Sequence, residues 1–117
     1  MLAGIALGAA ATKVIHAQAK APTYVVITID KITDADGYKA LPAKGRAAAE
    51  TAGGRYLIST GNITRLDGRA PERFALIEFE DVAKAEAWYA SGAQKEADAI
   101  RAKSTDSAAF IVEGIAR

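Results

Sequence analysis

Apolar and polar positions change period several times along the chain, and each change marks an element. Tyr24-Val25-Val26-Ile27-Thr28-Ile29-Asp30 is rich in β-branched residues and lies between Pro22 and the polar Asp34-Ala35-Asp36, which predicts a first strand. Thr33 or Asp34 can cap the helix that follows, because a short side-chain oxygen there accepts a free backbone N–H. Pro42 falls inside that helical stretch. Proline lacks an N–H and clashes with the preceding turn, so two short helices or one kinked helix are expected, with Pro42 near the start of the second part. Gly53-Gly54 ends it, since a glycine past a helix takes the left-handed conformation without a Cβ penalty.

Arg55 to Thr60 predicts a second strand, continued through a bulge at Gly61 over residues 62–66 up to an Asp67-Gly68 turn. Residues 73–80 read as the clearest strand, and the two form a hairpin. Asp81 caps a helix in which Val82, Ala85, Trp88 and Tyr89 recur at helical spacing as a core stripe. Ser91-Gly92 breaks it. A short helix over 93–103 turns Ala97 and Ile100 inward, and residues 108–114 close the chain as a last strand. The order βαββαβ puts both helix sets on one face of a four-stranded antiparallel sheet, an α+β, ferredoxin-like domain.

Side chains alternate across a strand, so each strand splits into two rows. Val25, Ile27 and Ile29, with Ala75, Ile77 and Phe79, suit the helix side. Tyr24, Val26, Thr28 and Asp30, with Phe74, Leu76 and Glu78, face away. In the last strand Phe110 and Val112 are expected inward, and Ile111 and Glu113 on the far side. The far face then gathers Tyr24, Val26, Phe74, Leu76 and Ile111 into an apolar patch that invites association. Among them stand Thr28, Glu78 and Glu113, and burying ionised carboxylates in a dry contact is costly unless they are paired. A second copy packed face to face, a dimeric α+β barrel around a partly hydrated hollow, meets both demands. A one-residue slip would invert a strand's rows.

With 117 residues there is room for one core, and 50% hydrophobic with 25% charged residues is the balance of a folded protein. Lys and Arg number 15 against 14 acidic residues, and the two signs are interspersed. Even the densest basic stretch, Arg65, Arg69 and Arg73, is interrupted by Asp67 and Glu72, which argues against a nucleic-acid partner. The chain has no cysteine, so disulfides, a thiolate nucleophile and sulfur-bound metals are excluded. No Ser-His-Asp set, phosphate loop, dinucleotide fingerprint or metal cluster is visible, and neither cofactor nor metal is expected.

Residues 1–19 form a separate segment that holds His16 and Met1. Its apolar run, followed by Ala17-Gln18-Ala19, suits a signal peptide, with the mature domain over 20–117 and a periplasmic or secreted location. The alternative is an alanine-rich N-terminal helix on a cytoplasmic protein. The run is shorter than the roughly 20 apolar residues a membrane span requires.

Over residues 23–115 the chain resembles the family called domain of unknown function 1330, of the dimeric α+β barrel superfamily. The resemblance rests on the first strand with Asp30, on Asp36-Gly37-Tyr38 before Pro42, on Gly53-Gly54-Arg55-Tyr56, on Leu76-Ile77-Glu78-Phe79 and on Ala87-Trp88-Tyr89-Ala90-Ser91. The chain departs from the family pattern at Gln94, where a tyrosine is usual, and at Ser59-Thr60-Gly61, where a more basic glycine-rich segment is usual. The resemblance implies a homodimer with the same fold. Two functions are open. One is a homodimer that holds a small molecule, without turnover, in a polar cavity between the two sheets. The other is a cofactor-independent isomerase or oxygenase of the kind the superfamily contains. Glu78 is the candidate general base, and Tyr24, Thr28, Tyr38, Arg55 and Glu113 are candidate ligand-binding residues. Catalysis requires a pocket that reaches Glu78, and a closed ion pair there would remove it.

Overall fold

The computed structural model describes residues 20–116. The elements are β1 (Thr23–Ile32), α1 (Ala35–Tyr38), α2 (Leu41–Thr51), β2 (Arg55–Thr60), β3 (Arg73–Phe79), α3 (Val82–Ala90), α4 (Gly92–Ser104) and β4 (Thr105–Glu113). The strands form one antiparallel sheet in the order β2-β3-β1-β4. The helices cover one face. Val25, Ile77 and Phe79 of the sheet pack against Ala49 of α2 and against Ala85 and Trp88 of α3, with the Phe79 and Trp88 rings 5.3 Å apart. This is the α+β, ferredoxin-like arrangement anticipated from the pattern. The signal-peptide or N-terminal-helix segment, and with it the compartment, lies outside the described residues. Among those described, no helix is long and apolar enough to cross a membrane.

Local chemistry explains the element ends. The Asp34 carboxylate accepts from the Gly37 N–H at 3.1 Å and starts α1, and Pro42 sits in the first turn of α2, where its missing N–H breaks no bond. Gly53 adopts φ 89°, and at Gly54 a Cβ would lie 2.6 Å from the Phe79 ring, so β2 leaves α2 pressed against the core. Ser91 joins two helices: its hydroxyl donates to the Trp88 carbonyl at 2.7 Å and accepts from the Gln94 N–H at 3.2 Å.

Three expectations are corrected, the first being Tyr89, which leaves the expected core stripe of α3 and is 46% exposed while Ala85 and Trp88 are buried. β2 ends at Thr60, residues 62–66 form no strand, and the bulge lies earlier, between Tyr56 and Ile58. β2 pairs with β3, and ahead of Arg73 the chain offers no ladder. Pro71 has no N–H, and Glu72 is committed to β1, donating its N–H to the Ile29 carbonyl and accepting from the Ile32 N–H, each at 2.8 Å.

The rows of β4 are also inverted. Ile111 stands opposite Val25 and Glu113 opposite Thr23, on the helix side. Phe110 stands opposite Val26 and Val112 opposite Tyr24, on the open face, where they are 48% and 38% exposed. Trp88 lies in the layer beneath this edge and packs with Ile111, and a cavity of about 470 Å³ remains between Trp88, Tyr89 and residues 109–111. The open face therefore carries a continuous apolar row across all four strands, Ile58–Leu76–Val26–Phe110.

Candidate functional site

The layer between sheet and helices is filled at one end by the Trp88 core. At the other end it is built from short side chains: Gly45 on α2, Ser59 on β2, Ala75 on β3 and Ala97 on α4. The space they leave is a cavity of about 380 Å³ with Ile27, Ile29 and Leu41 as apolar walls. That size and a mostly apolar lining with a few converging polar groups suit a small organic molecule.

The polar groups arrive from separate elements. Tyr56 projects from the helix-side row of β2, and the Arg46 guanidinium of α2 lies 5.1 Å from its ring centroid. Burial raises the Tyr56 phenol above its ordinary value, with Arg46 opposing the shift and Tyr38 and Glu50 adding to it, so the phenol is neutral at physiological pH. Arg101 of α4 is held by Asp98 at 3.1 Å and by the Ser107 hydroxyl at 2.9 Å. The same Asp98 oxygen accepts from the Gln94 side-chain amide at 3.0 Å. That bond fixes the amide's orientation. Gln94 is 4% exposed, and its Oε1 has no hydrogen-bond partner among the described groups. Arg46 and Arg73 also line the cavity, and among the described residues neither pairs with a carboxylate. No Asp or Glu belongs to the lining.

The anticipated site residues divide between the two faces of the sheet. Tyr24, Thr28, Arg55 and Glu78 share the open face, with Glu78 opposite both Tyr24 on β1 and Arg55 on β2. Arg55 Nη2 donates to Glu78 Oε1 at 2.7 Å. Tyr38 lies apart from them, at the wall of the helix-side cavity. Glu113 leaves the group because of the β4 inversion and sits at the end of the helix-side row. Sequence reasoning did not assemble Arg46, Tyr56, Arg73 and Gln94 into one site. The available signal was the pair of departures from the family pattern, since both Gln94 and Ser59 line this cavity.

The family model described as Domain of unknown function (DUF1330) matches residues 22–115. No curated protein matches the chain. Among solved structures, a protein of unknown function from Rhodopseudomonas palustris is similar at TM-score 0.65 and 15% identity, covering 89% of this chain and 92% of that one. A protein from Jannaschia sp., described as a dimeric ferredoxin-like protein of unknown function, is similar at TM-score 0.58 and 16% identity, covering 79% and 96%. A protein from Nitrosomonas europaea, described as a proposed antibiotic biosynthesis monooxygenase, is similar at TM-score 0.52 and 18% identity, covering 81% and 92%. At these identities the likeness is one of fold.

Proposed function

The chain belongs to the family described as Domain of unknown function (DUF1330), and from that membership and the geometry above we propose that it acts as a homodimer whose protomers each hold a small organic molecule in the cavity between sheet and helices. The cavity carries the reading: about 380 Å³, open to solvent on one side and bordered by short side chains from four elements, with neutral Tyr56, the amide of Gln94 and three arginines at its wall. The open sheet face supports the dimer, as does the similar Jannaschia protein, which is described as dimeric. The β4 inversion removes Glu113 from that face and adds Phe110 and Val112, while Glu78 is paired with Arg55. A contact with fewer uncompensated charges needs less water, so the ligand belongs on the helix side and not between the sheets.

Glu78 then serves the contact between protomers. It lies across the sheet from the cavity and accepts from Arg55, so no observation favours an isomerase or oxygenase that uses it as base. Native mass spectrometry of the full chain, incubated with a library of small organic compounds, tests the reading. The dimer should retain a compound, and Ala43→Trp, at the exposed rim of the cavity, should lose it while remaining dimeric. Retention in that variant, or no compound retained by the unaltered protein, would overturn the proposal.

A further inference from the structure

The charge of the cavity wall narrows the ligand. Three guanidinium groups and no carboxylate line it. Arg101 is paired with Asp98, whereas among the described residues no carboxylate comes within ion-pair distance of Arg46 or Arg73. The first turn of α2, through Leu41, Pro42 and Ala43, borders the same space. That turn has no acidic residue, and its N-cap, Ala40, has no side-chain capping bond. The positive end of the α2 dipole and two cations therefore border one cavity whose lining holds no acidic residue, with Glu50 near Tyr56 as the opposing charge close by.

We propose that the cavity takes an organic monocarboxylate: a ring-sized apolar body among Ile27, Ile29, Leu41 and Ala97, its carboxylate at the mouth with Arg46 and Arg73. The inference rests on the proposed small-molecule site and adds the class of molecule. A carboxylate suits these arginines because the guanidinium fork and the carboxylate are both planar, and the Arg46 guanidinium lies over the Tyr56 ring, 5.1 Å from its centroid. The apolar walls exclude a bare anion, since an inorganic ion would leave them in contact with water and would gain nothing from them.

Calorimetric titration of the full-length protein with 2-naphthoate and with its neutral isostere 2-naphthamide tests this, with amide shifts of Gly45 and Ala97 reporting that binding is in the cavity. Naphthoate should bind about tenfold tighter at low salt, the difference one charge-assisted contact makes. Arg73→Gln should remove about that factor for naphthoate and leave naphthamide unchanged, which also shows that the variant is folded. Arg46→Gln should act in the same way, with Arg46→Lys recovering part of the loss. Equal affinity for the two probes, or arginine variants that bind naphthoate normally, would overturn the inference and leave the small-molecule site standing. Inorganic phosphate binding as tightly as naphthoate would also overturn it. Neither naphthalene probe shifting Gly45 or Ala97 would overturn the inference, and the small-molecule reading would then stand or fall on the compound library.

Discussion

At Gly54 a single hydrogen atom decides whether β2 can leave α2 where it does. A Cβ there would meet Phe79 ring atoms at 2.6 and 2.8 Å and the Ala49 carbonyl at 3.1 Å, and Phe79 cannot retreat because Trp88 backs it. Gly54→Ala should destabilise the protein by about 1–3 kcal/mol, the usual cost of overpacking, seen as a lower urea midpoint with an unchanged slope. Tyr56 carries a different signature. Its phenol is raised by burial, so as the pH climbs past the ordinary phenol value the unfolded chain ionises while the folded protein does not. The unfolded state then binds fewer protons, and stability falls with rising pH until the folded phenol also titrates. Below that window the group contributes nothing to the pH dependence. Alkaline denaturation compared with Tyr56→Phe checks this, and the variant should lose less stability across the window. An identical alkaline slope would mean that the phenol is not desolvated.

At the scale of elements, strand and helix identities were legible because period and punctuation agreed: β-branched runs for β1 and β3, Asp34 and Asp81 as caps, Pro42 at the entrance of α2, Gly53 and Gly54 at its exit. The misread features depended on partners. Residues 62–66 follow β2 directly and carry Ile63 and Thr64, yet a strand exists only where a neighbour offers unpaired N–H and C=O groups, and Pro71 and Glu72 withhold them. In β4 the sequence pattern turns Phe110 and Val112 inward, but the ladder register with β1 places Ile111 opposite Val25 on the helix side. The cavity was less legible still. It is made by short side chains on four separate elements, and a chain-local pattern of Gly, Ser and Ala looks the same whether a neighbouring element closes over it or not. Arg46, Tyr56 and Gln94 become a site only when α2, β2 and α4 meet.

For the whole molecule, the sheet separates the proposed cavity from the proposed contact between copies, and this makes the assembly testable apart from the ligand. The open face presents Ile58, Leu76, Val26 and Phe110 in one line across the strands. A two-fold contact buries that line once on each protomer, and burial of each side chain contributes about 1.5–3 kcal/mol before ordering costs. Leu76→Lys places an ammonium on this line in both protomers, and with Glu78 already engaged by Arg55 the contact would have to bury two unpaired charges. In the separated protomer the same lysine is solvated and should leave the fold unharmed. Sedimentation equilibrium should therefore give twice the chain mass for the unaltered protein and the single mass for Leu76→Lys. The variant should still bind naphthoate, because the cavity lies on the other side of the sheet. If the unaltered protein sediments as a monomer at tens of micromolar, or at whatever concentration about 8 kcal/mol of association would hold it together, the open face is not a contact between copies. A dimeric Leu76→Lys would place the contact on another surface.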